Sequence, residues 1–390
     1  MKPTRFVFLS ACLGMMLFGA SFITLGSIAP SLQQKFDMSE LEAGTLFSIL
    51  PFGILAGSLI FGPVADRYGY KAELVVAGLL MAAGFLGISS AGDPLMLKGC
   101  ILIFGLSGGV INGACNAAVA DISVAKGANL SIIGVFYAVG ALGMPVIVAA
   151  LHNFSFEKIV SGFGYFALAV TIVFMIAHFP PAKFGGGIPA ARIRQLLAQP
   201  LLLLVGFFLF CQSSFEAIVN NWTTTFLIRQ NKLNPLNALY VLSLYVIGMA
   251  AMRVLLGGVF RKFPAARILA ISFVLLAAGV AGLQFTSSFI MAAISLFIIG
   301  AGLAAGFPVM LGIVGERYAD LSGTAFSIVI VIALIGNMLL NVLMGVIAEA
   351  LGIQHLITLF AALITIMAIL TQRIIKKTNH KSYAVETMAQ

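Results

Sequence analysis

Charge is scarce in this sequence of 390 residues: Asp, Glu, Lys and Arg together make up 9% of it, whereas 61% of the residues are hydrophobic. A water-soluble domain needs a polar surface and cannot bury such a proportion of apolar side chains. Apolar runs of about 20 residues recur along the whole chain, which is the length that an α-helix needs to cross a bilayer. Backbone groups inside lipid must satisfy their own hydrogen bonds, so these runs predict membrane-spanning helices.

Cysteine and histidine are also scarce, with four of each. The cysteines, Cys12, Cys100, Cys115 and Cys211, lie in or beside apolar runs without metal-ligand spacing. The sequence therefore predicts neither a metal site nor a disulfide framework. It contains no nucleotide-binding loop and no stretch long enough for an extramembrane domain. We therefore expect no cofactor and no enzymatic activity, and any uphill transport has to use an ion gradient.

The sequence contains an internal repeat at an offset of 195 residues, because LMAAGFLG at 80–87 returns as LLAAGVAG at 275–282. The same offset pairs three glycines and one acidic residue of the first half with their counterparts: Gly53 with Gly248, Gly62 with Gly257, Gly105 with Gly300, and Asp121 with Glu316. An internal repeat of this size in a membrane chain is typical of a transporter whose substrate site lies between the two halves.

The apolar runs predict an all-α integral membrane protein with twelve transmembrane helices in two pseudo-symmetric six-helix bundles. The predicted spans cover residues 6–31, 42–65, 71–91, 95–121, 128–151, 157–179, 199–228, 236–260, 265–286, 288–316, 322–350 and 352–374. We expect an N-terminal bundle at 1–179, a cytoplasmic linker at 180–198, a C-terminal bundle at 199–375 and a cytoplasmic tail at 376–390.

The basic residues behind the net charge of +9 are divided unequally between the two sides of the membrane. With both termini placed in the cytoplasm, sixteen of the 22 basic residues fall inside. Five fall outside, namely Lys35, Lys98, Lys158, Arg229 and Lys232, and Arg253 lies within a span. The positive-inside rule therefore predicts a bacterial inner-membrane protein with cytoplasmic termini, and the positive charge does not indicate a nucleic-acid partner.

The second predicted span ends in GPVADRYGYK at residues 62–71. Gly62 permits close helix approach, and Asp66 can hold cations of a neighbouring helix and so keep the cytoplasmic face shut. The tight turn requires a residue such as Gly69. We predict that this loop gates the protein through Gly62, Asp66, Arg67, Gly69 and Lys71. In the second repeat the offset places Arg261 opposite Asp66.

The pattern G-x-x-x-D-R-x-G-x-K between spans two and three resembles the signature loop of the major facilitator superfamily. Twelve spans in two repeats match that superfamily along the whole chain. The resemblance implies the two-bundle transporter fold and a substrate site formed by spans one, four, seven and ten.

A narrower resemblance lies in the fourth span, GLSGGVINGACNAAVADIS at 105–123. It is similar to the fourth span of the fucose-galactose-glucose:proton symporter family, with Asn116 in the place of that family's asparagine and Asn112 in the place of its glutamate. FEAIVNNW at 215–222 resembles the acid-then-tryptophan pattern of the family's seventh span. The family's acidic residue in span one is also missing before Pro30, so the resemblance implies sugar transport without an inherited proton-coupling pair.

Two ionisable residues, Glu216 and Arg253, lie at membrane depth. A charge there is costly and usually faces a water-filled cavity with a partner nearby. Glu216 is a candidate cation-coupling group, and Arg253 is a candidate ligand for an anionic substrate such as a sugar acid. The structural alternative is a buried pair that joins two helices.

Amides and one aromatic residue complete the predicted site. Asn112 and Asn116 share a helix face through their i, i+4 spacing, as do Asn337 and Asn341. Trp222 is the single tryptophan and could stack beneath a sugar ring. The predicted substrate-binding residues are Asn112, Asn116, Gln212, Glu216, Asn220, Trp222, Arg253 and Asn337. Interhelical hydrogen bonding is the alternative role for the asparagines.

We predict a monomeric secondary active transporter that moves a sugar or a related small polar molecule by alternating access, with a proton or sodium ion as the coupling cation. An exporter of hydrophobic or cationic compounds is the first alternative, because Gly134, Gly140, Gly143 and Pro145 in span five resemble the antiporter pattern there. A non-transporting membrane sensor or scaffold is the second alternative.

Overall fold

The computed structural model of the chain describes residues 3–38, 40–151, 153–183, 190–230, 232–285 and 288–386. Within the predicted linker, residues 184–189 lie outside these ranges, as do residues 387–390 of the predicted tail. Fourteen α-helices occupy most of the described chain.

The first half forms six long helices: α1 (Pro3–Phe36), α2 (Glu40–Tyr68), α3 (Tyr70–Ser90), α4 (Pro94–Ile122), α5 (Lys126–Ala150) and α6 (Phe156–Ile176). The short helix α7 (Ala190–Leu197) follows in the predicted linker. The second half forms α8 (Pro200–Arg229), α9 (Pro235–Gly257), α10 (Ala265–Gln284), α11 (Phe289–Leu303), α12 (Gly306–Arg317), α13 (Ser322–Ala350) and α14 (Leu356–Glu386). Among the described residues, twelve helical stretches are long and apolar enough to cross a membrane, which confirms the predicted all-α architecture.

The tenth span differs from its prediction as one uninterrupted helix, because α11 ends at Leu303 and α12 begins at Gly306. Pro308 explains the position of the break. It has no backbone N–H to donate to the carbonyl of Ala304, and its ring crowds that carbonyl.

The chain divides into two compact units. The first comprises Met1–Val124, Ile132–Ile193 and Gly315–Ser327, and the second comprises Ala125–Ser131, Arg194–Val314 and Ile328–Gln390. Residues 315–327 run from the end of the tenth span into α13 and lie in the second sequence repeat, but they belong to the first unit. The predicted boundaries at 179 and 199 stay a prediction.

Glycine contacts bring α2 against α4 in the first unit. A Cβ on Gly53 would lie 3.0 Å from the Cα of Gly105, and a Cβ on Gly105 would lie 2.6 Å from the carbonyl oxygen of Leu50. Backbone therefore packs on backbone at this crossing, a geometry that small residues permit within membranes.

The equivalent glycines of the repeat do the same in the second unit, where α9 packs on α11. A Cβ on Gly248 would collide with the carbonyl oxygen of Phe297, and a Cβ on Gly300 would collide with that of Tyr245. The repeat in the sequence therefore corresponds to one helix contact that is built twice.

Candidate functional site

Asp66 lies buried at the end of α2 and binds the first turn of α13. Its Oδ2 atom accepts hydrogen bonds from the backbone N–H of Thr324 at 2.8 Å and from the Thr324 hydroxyl at 2.7 Å, and its Oδ1 atom accepts from the N–H of Gly323 at 3.3 Å. A carboxylate at the N-terminus of a helix satisfies free N–H groups and interacts favourably with the helix dipole. The sequence predicted cations as partners of Asp66, whereas its direct partners are backbone amides and a hydroxyl.

A second carboxylate, Asp121 at the end of α4, contacts the same turn. It accepts hydrogen bonds from the hydroxyl groups of Tyr70 at 2.7 Å and Ser322 at 2.8 Å. The ammonium group of Lys183 lies 2.8 Å from its Oδ2 atom and donates to the carbonyl oxygen of Ala319 at 2.7 Å. The cation of this cluster, Lys183, therefore pairs directly with Asp121, whereas the sequence predicts a cation beside Asp66.

Glycines allow the close approach at this cluster. A Cβ on Gly62 would lie 2.6 Å from the carbonyl oxygen of Gly323 and 2.6 Å from the Cβ of Ser327. Gly69 has a φ of +82°, which favours glycine, and its position faces the backbone of Ala182. We call the set of Gly62, Asp66, Gly69, Tyr70, Asp121, Lys183 and residues 319–327 the gate cluster; all of it belongs to the first unit.

The other two predicted gating residues stay outside the gate cluster. Arg67 and Lys71 are exposed, and the guanidinium of Arg67 lies over the ring of Tyr68, 5.0 Å from its centroid. The sequence prediction missed Asp121 and Lys183. The equivalence of Asp121 with Glu316 in the repeat was a signal for the first of them, because it marks an acidic residue at the same end of its span as Asp66.

Glu73 was also missed, and it lies one turn into α3 with 7% of its surface exposed. Both carboxyl oxygens are buried, and neither has a hydrogen-bond partner among the residues that the structure describes. The negative charge of Asp66 acts on the same carboxyl group. An ionised glutamate in these surroundings costs stability, since the described residues offer its oxygens no hydrogen-bond donor.

The predicted amide pair of α4 satisfies itself within its helix. The side-chain amide of Asn116 donates to the backbone carbonyl of Asn112 at 2.8 Å and to its side-chain oxygen at 3.1 Å. The same nitrogen lies 3.7 Å from the sulfur of Met15 on α1. Asn116 is buried and Asn112 is half-buried, so Asn112 is the more accessible of the two.

In the second unit, Gln212 and Glu216 lie together one turn apart on α8. The Nε2 atom of Gln212 donates to the carboxylate of Glu216 at 2.8 Å and to the carbonyl oxygen of Leu303 at 2.7 Å. Leu303 is the last residue of α11, so Gln212 binds the break in the tenth span. The buried guanidinium of Arg253, on α9, attracts the carboxylate electrostatically.

The side chains of the remaining predicted residues of the second unit make other hydrogen bonds. Asn220 is exposed and donates to the backbone carbonyl of Glu216. The indole N–H of Trp222 donates to Asn341 of α13 at 2.9 Å, and Asn337 donates to Ser213 at 3.4 Å. These bonds join α8 to α13, the interhelical role named as the alternative for span eleven. Within the described ranges, no group of three or more His, Cys, Asp or Glu is placed to hold a metal ion.

Comparison with known proteins identifies one family along nearly the whole chain. The model of the Major Facilitator Superfamily matches residues 11–268 and, separately, residues 228–389. The crystal structure of the E. coli fucose:proton symporter FucP has a TM-score of 0.78 at 17% identity and covers 94% of this chain and 98% of its own. The proton:xylose symporter XylE bound to 6-bromo-6-deoxy-D-glucose has a TM-score of 0.78 at 15% identity and covers 95% of both chains. At these identities the likeness establishes the fold alone.

Two curated relatives match shorter parts of the chain at higher identity. The inner membrane transport protein YdiN of Escherichia coli is 23% identical over 242 residues, which are 60% of this chain and 56% of that protein. A gallate transporter of Pseudomonas putida is 30% identical over 129 residues, which are 33% of this chain and 29% of that protein. The chain therefore matches little more than half the length of the first relative and under a third of the second.

Proposed function

The chain belongs to the Major Facilitator Superfamily, and we propose that it is a secondary active transporter that works by alternating access. The proposed substrate is a small polar solute, namely a sugar or a sugar derivative. The protein is a multi-pass membrane transporter and not an enzyme. Cation symport, with a proton or a sodium ion, is the proposed energy source. The distribution of basic residues supports a bacterial inner-membrane location with both termini in the cytoplasm. We propose that the monomer is the transporting unit.

The proposal rests on Glu216, a carboxylate in the middle of a membrane-spanning helix. An ionisable side chain is costly at this depth, so an acidic residue there usually lies on the pathway of a substrate or an ion. Its hydrogen bond to Gln212 reaches the free end of α11, where a helix ends within a span and leaves carbonyl groups that can bind cations. A proton or cation that binds Glu216 would therefore alter the contacts that hold the tenth span.

The proposed substrate class rests on amide side chains within α4 and on others within α8. Asn112 and Asn116 on α4, and Gln212 and Asn220 on α8, offer the amide donors and acceptors that a neutral sugar requires. The fold is shared with the fucose:proton symporter FucP and the proton:xylose symporter XylE, which supports the same choice. Arg253 supports a sugar acid as the second candidate substrate, because a guanidinium can donate two parallel hydrogen bonds to one carboxylate.

The gate cluster is the proposed conformational switch. Its carboxylates hold the first turn of α13 by charge-assisted hydrogen bonds, which are stronger than neutral ones. Alternating access requires a closed end to open, and these bonds are suited to being broken and remade in each cycle. We assign this role to Gly62, Asp66 and Gly69, with Arg67 and Lys71 as exposed charges beside them.

Uptake by reconstituted vesicles tests the coupling role of Glu216. A thermal-shift screen of neutral sugars and sugar acids on the purified protein first identifies a ligand. We expect Glu216→Gln to abolish accumulation driven by a proton or sodium gradient while exchange of labelled for unlabelled ligand continues. The amide keeps the shape of the carboxyl group and one acceptor oxygen for Gln212, but it cannot gain or lose a proton.

Glu349→Gln is the matched control, because Glu349 is an exposed residue near the end of α13. It should accumulate ligand as the unaltered protein does. If Glu216→Gln also accumulates ligand against a gradient, Glu216 is not the coupling group. Resistance of expressing cells to toxic cations, without ligand uptake by vesicles, would instead favour the exporter.

A further inference from the structure

The first unit contains an apolar cavity of about 460 Å³ between α1, α5 and α6. We call it the α5–α6 groove and define it by six of the residues that line it: Ala20 on α1, Gly143 and Ile147 on α5, and Lys158, Gly162 and Phe166 on α6. Its volume falls within the range of about 300–1,000 Å³ that is usual for small-molecule sites. None of the residues proposed above for substrate binding or gating lines it.

Two glycines leave the groove open. A Cβ on Gly143 or on Gly162 would meet no heavy atom within 4 Å. Gly140, one turn before Gly143, differs because a Cβ there would collide with the carbonyl oxygen of Met16. Gly140 therefore sets the contact of α5 with α1, whereas Gly143 and Gly162 leave space that any larger side chain would fill.

The groove opens along the outer faces of two membrane-spanning helices. Val139 and Ile147, which line it from α5, are 53% and 38% exposed, and Gly162 on α6 is exposed as well. Both stretches of helix lie within membrane spans. The hydrocarbon of the bilayer is the solvent that such apolar surfaces meet.

One end of the groove carries a positive charge. Lys158 is the one charged residue among the described residues that line it, and it lies in the first turn of α6, at the positive end of the helix dipole. The adjacent carboxylate does not neutralise it, since Glu157 pairs with Lys35 at 3.4 Å. A lysine at the end of a membrane span extends towards the interface, where lipid headgroups lie.

We propose that the α5–α6 groove binds an anionic phospholipid of the surrounding bilayer. One acyl chain fills the apolar space at Gly143 and Gly162, and the headgroup phosphate lies against Lys158. The groove is apolar along its length and open to hydrocarbon, which fits an acyl chain. Its interfacial end carries the positive charge of Lys158, which fits an anionic headgroup. The site is independent of the transported substrate.

Thermal unfolding of the purified protein in a nonionic detergent, with added lipid, tests the proposal. Phosphatidylglycerol should raise the unfolding midpoint more than phosphatidylcholine with the same acyl chains. Gly162→Leu should remove the rise with both lipids, because the leucine occupies the groove; it should fold, because leucine favours a helix more than glycine does. Lys158→Gln should weaken phosphatidylglycerol binding about fivefold, the effect of one interfacial cation, and weaken phosphatidylcholine binding less, because the choline cation offsets the charge of its phosphate.

Two variants away from the groove serve as controls. Gly99 on α4 is exposed and also has open space around it, and Lys98 precedes it on the same helix. Gly99→Leu and Lys98→Gln should respond to both lipids as the unaltered protein does. Equal responses of Gly162→Leu and the unaltered protein would overturn the proposal. Oleate could also overturn it. If oleate raises the unfolding midpoint as much as phosphatidylglycerol does, and the same variants lose that rise, the occupant is a free fatty acid and not a phospholipid.

Discussion

At the scale of single residues, the carboxyl groups of this chain have contrasting surroundings. Asp66 and Asp121 each have at least three donor or cationic partners in the gate cluster. Glu216 has an amide donor and a nearby guanidinium. Glu73 is buried, and the described residues offer its oxygens no hydrogen bond. Three of these carboxylates therefore contribute specific contacts, whereas Glu73 costs stability.

We predict that Glu73→Met stabilises the protein. A buried polar group without a partner costs about 1–3 kcal/mol, and methionine has a similar length without the polar atoms. Removal of this side chain also removes its repulsion by Asp66. Thermal unfolding in detergent should show a higher midpoint for Glu73→Met. The control is Glu349→Met, at an exposed site, and its midpoint should equal that of the unaltered protein. A lower midpoint for Glu73→Met would mean that the carboxyl group has a stabilising partner.

At the scale of secondary-structure elements, the start of α13 depends on a carboxylate from another helix. We predict that Asp66→Asn destabilises the protein by about 1.5–3 kcal/mol, the range for a hydrogen bond to a charged group. Asparagine retains one acceptor oxygen but loses the charge that interacts with the dipole of α13. Ligand exchange by reconstituted vesicles should fall while ligand binding, measured by thermal shift, is retained.

Arg67→Gln is the control for this effect, because Arg67 adjoins Asp66 in sequence but is exposed. It should change neither the unfolding midpoint nor the exchange rate. If Asp66→Asn unfolds and exchanges as the unaltered protein does, the bonds to Gly323 and Thr324 do not hold the gate.

The elements also show what the sequence could predict. Twelve spans followed from apolar length alone, because a bilayer fixes how long a spanning helix has to be. The motif at residues 62–71 predicted the position of Asp66 but not its partners, since those lie more than 250 residues away in the sequence. The break at Ala304 and Ala305 is not visible in hydropathy, because the apolar run continues through it, and Pro308 is the residue in the sequence that marks it.

At the scale of the whole molecule, the repeat shares its scaffold but not its charges. Gly53 with Gly105, and their counterparts Gly248 and Gly300, build the same type of helix contact in each unit. The ionisable groups at membrane depth have no such counterparts, because the repeat aligns Glu216 with Ser21 and Arg253 with Ser58. Packing between helices is therefore conserved between the repeats, while the proposed chemistry of transport is specific to one of them.

The shared scaffold predicts that equivalent substitutions have equivalent costs. Gly53→Ala and Gly248→Ala should each lower the unfolding midpoint, because the added methyl group meets the backbone of α4 or α11 and the helices have to separate. Overpacking of this kind costs about 1–3 kcal/mol. Gly26→Ala is the control, since a Cβ there meets nothing within 4 Å, and it should raise the midpoint by removing a glycine from a helix. A loss at Gly53 with none at Gly248 would show that the two units do not depend on the same contact, even though the sequence repeats it.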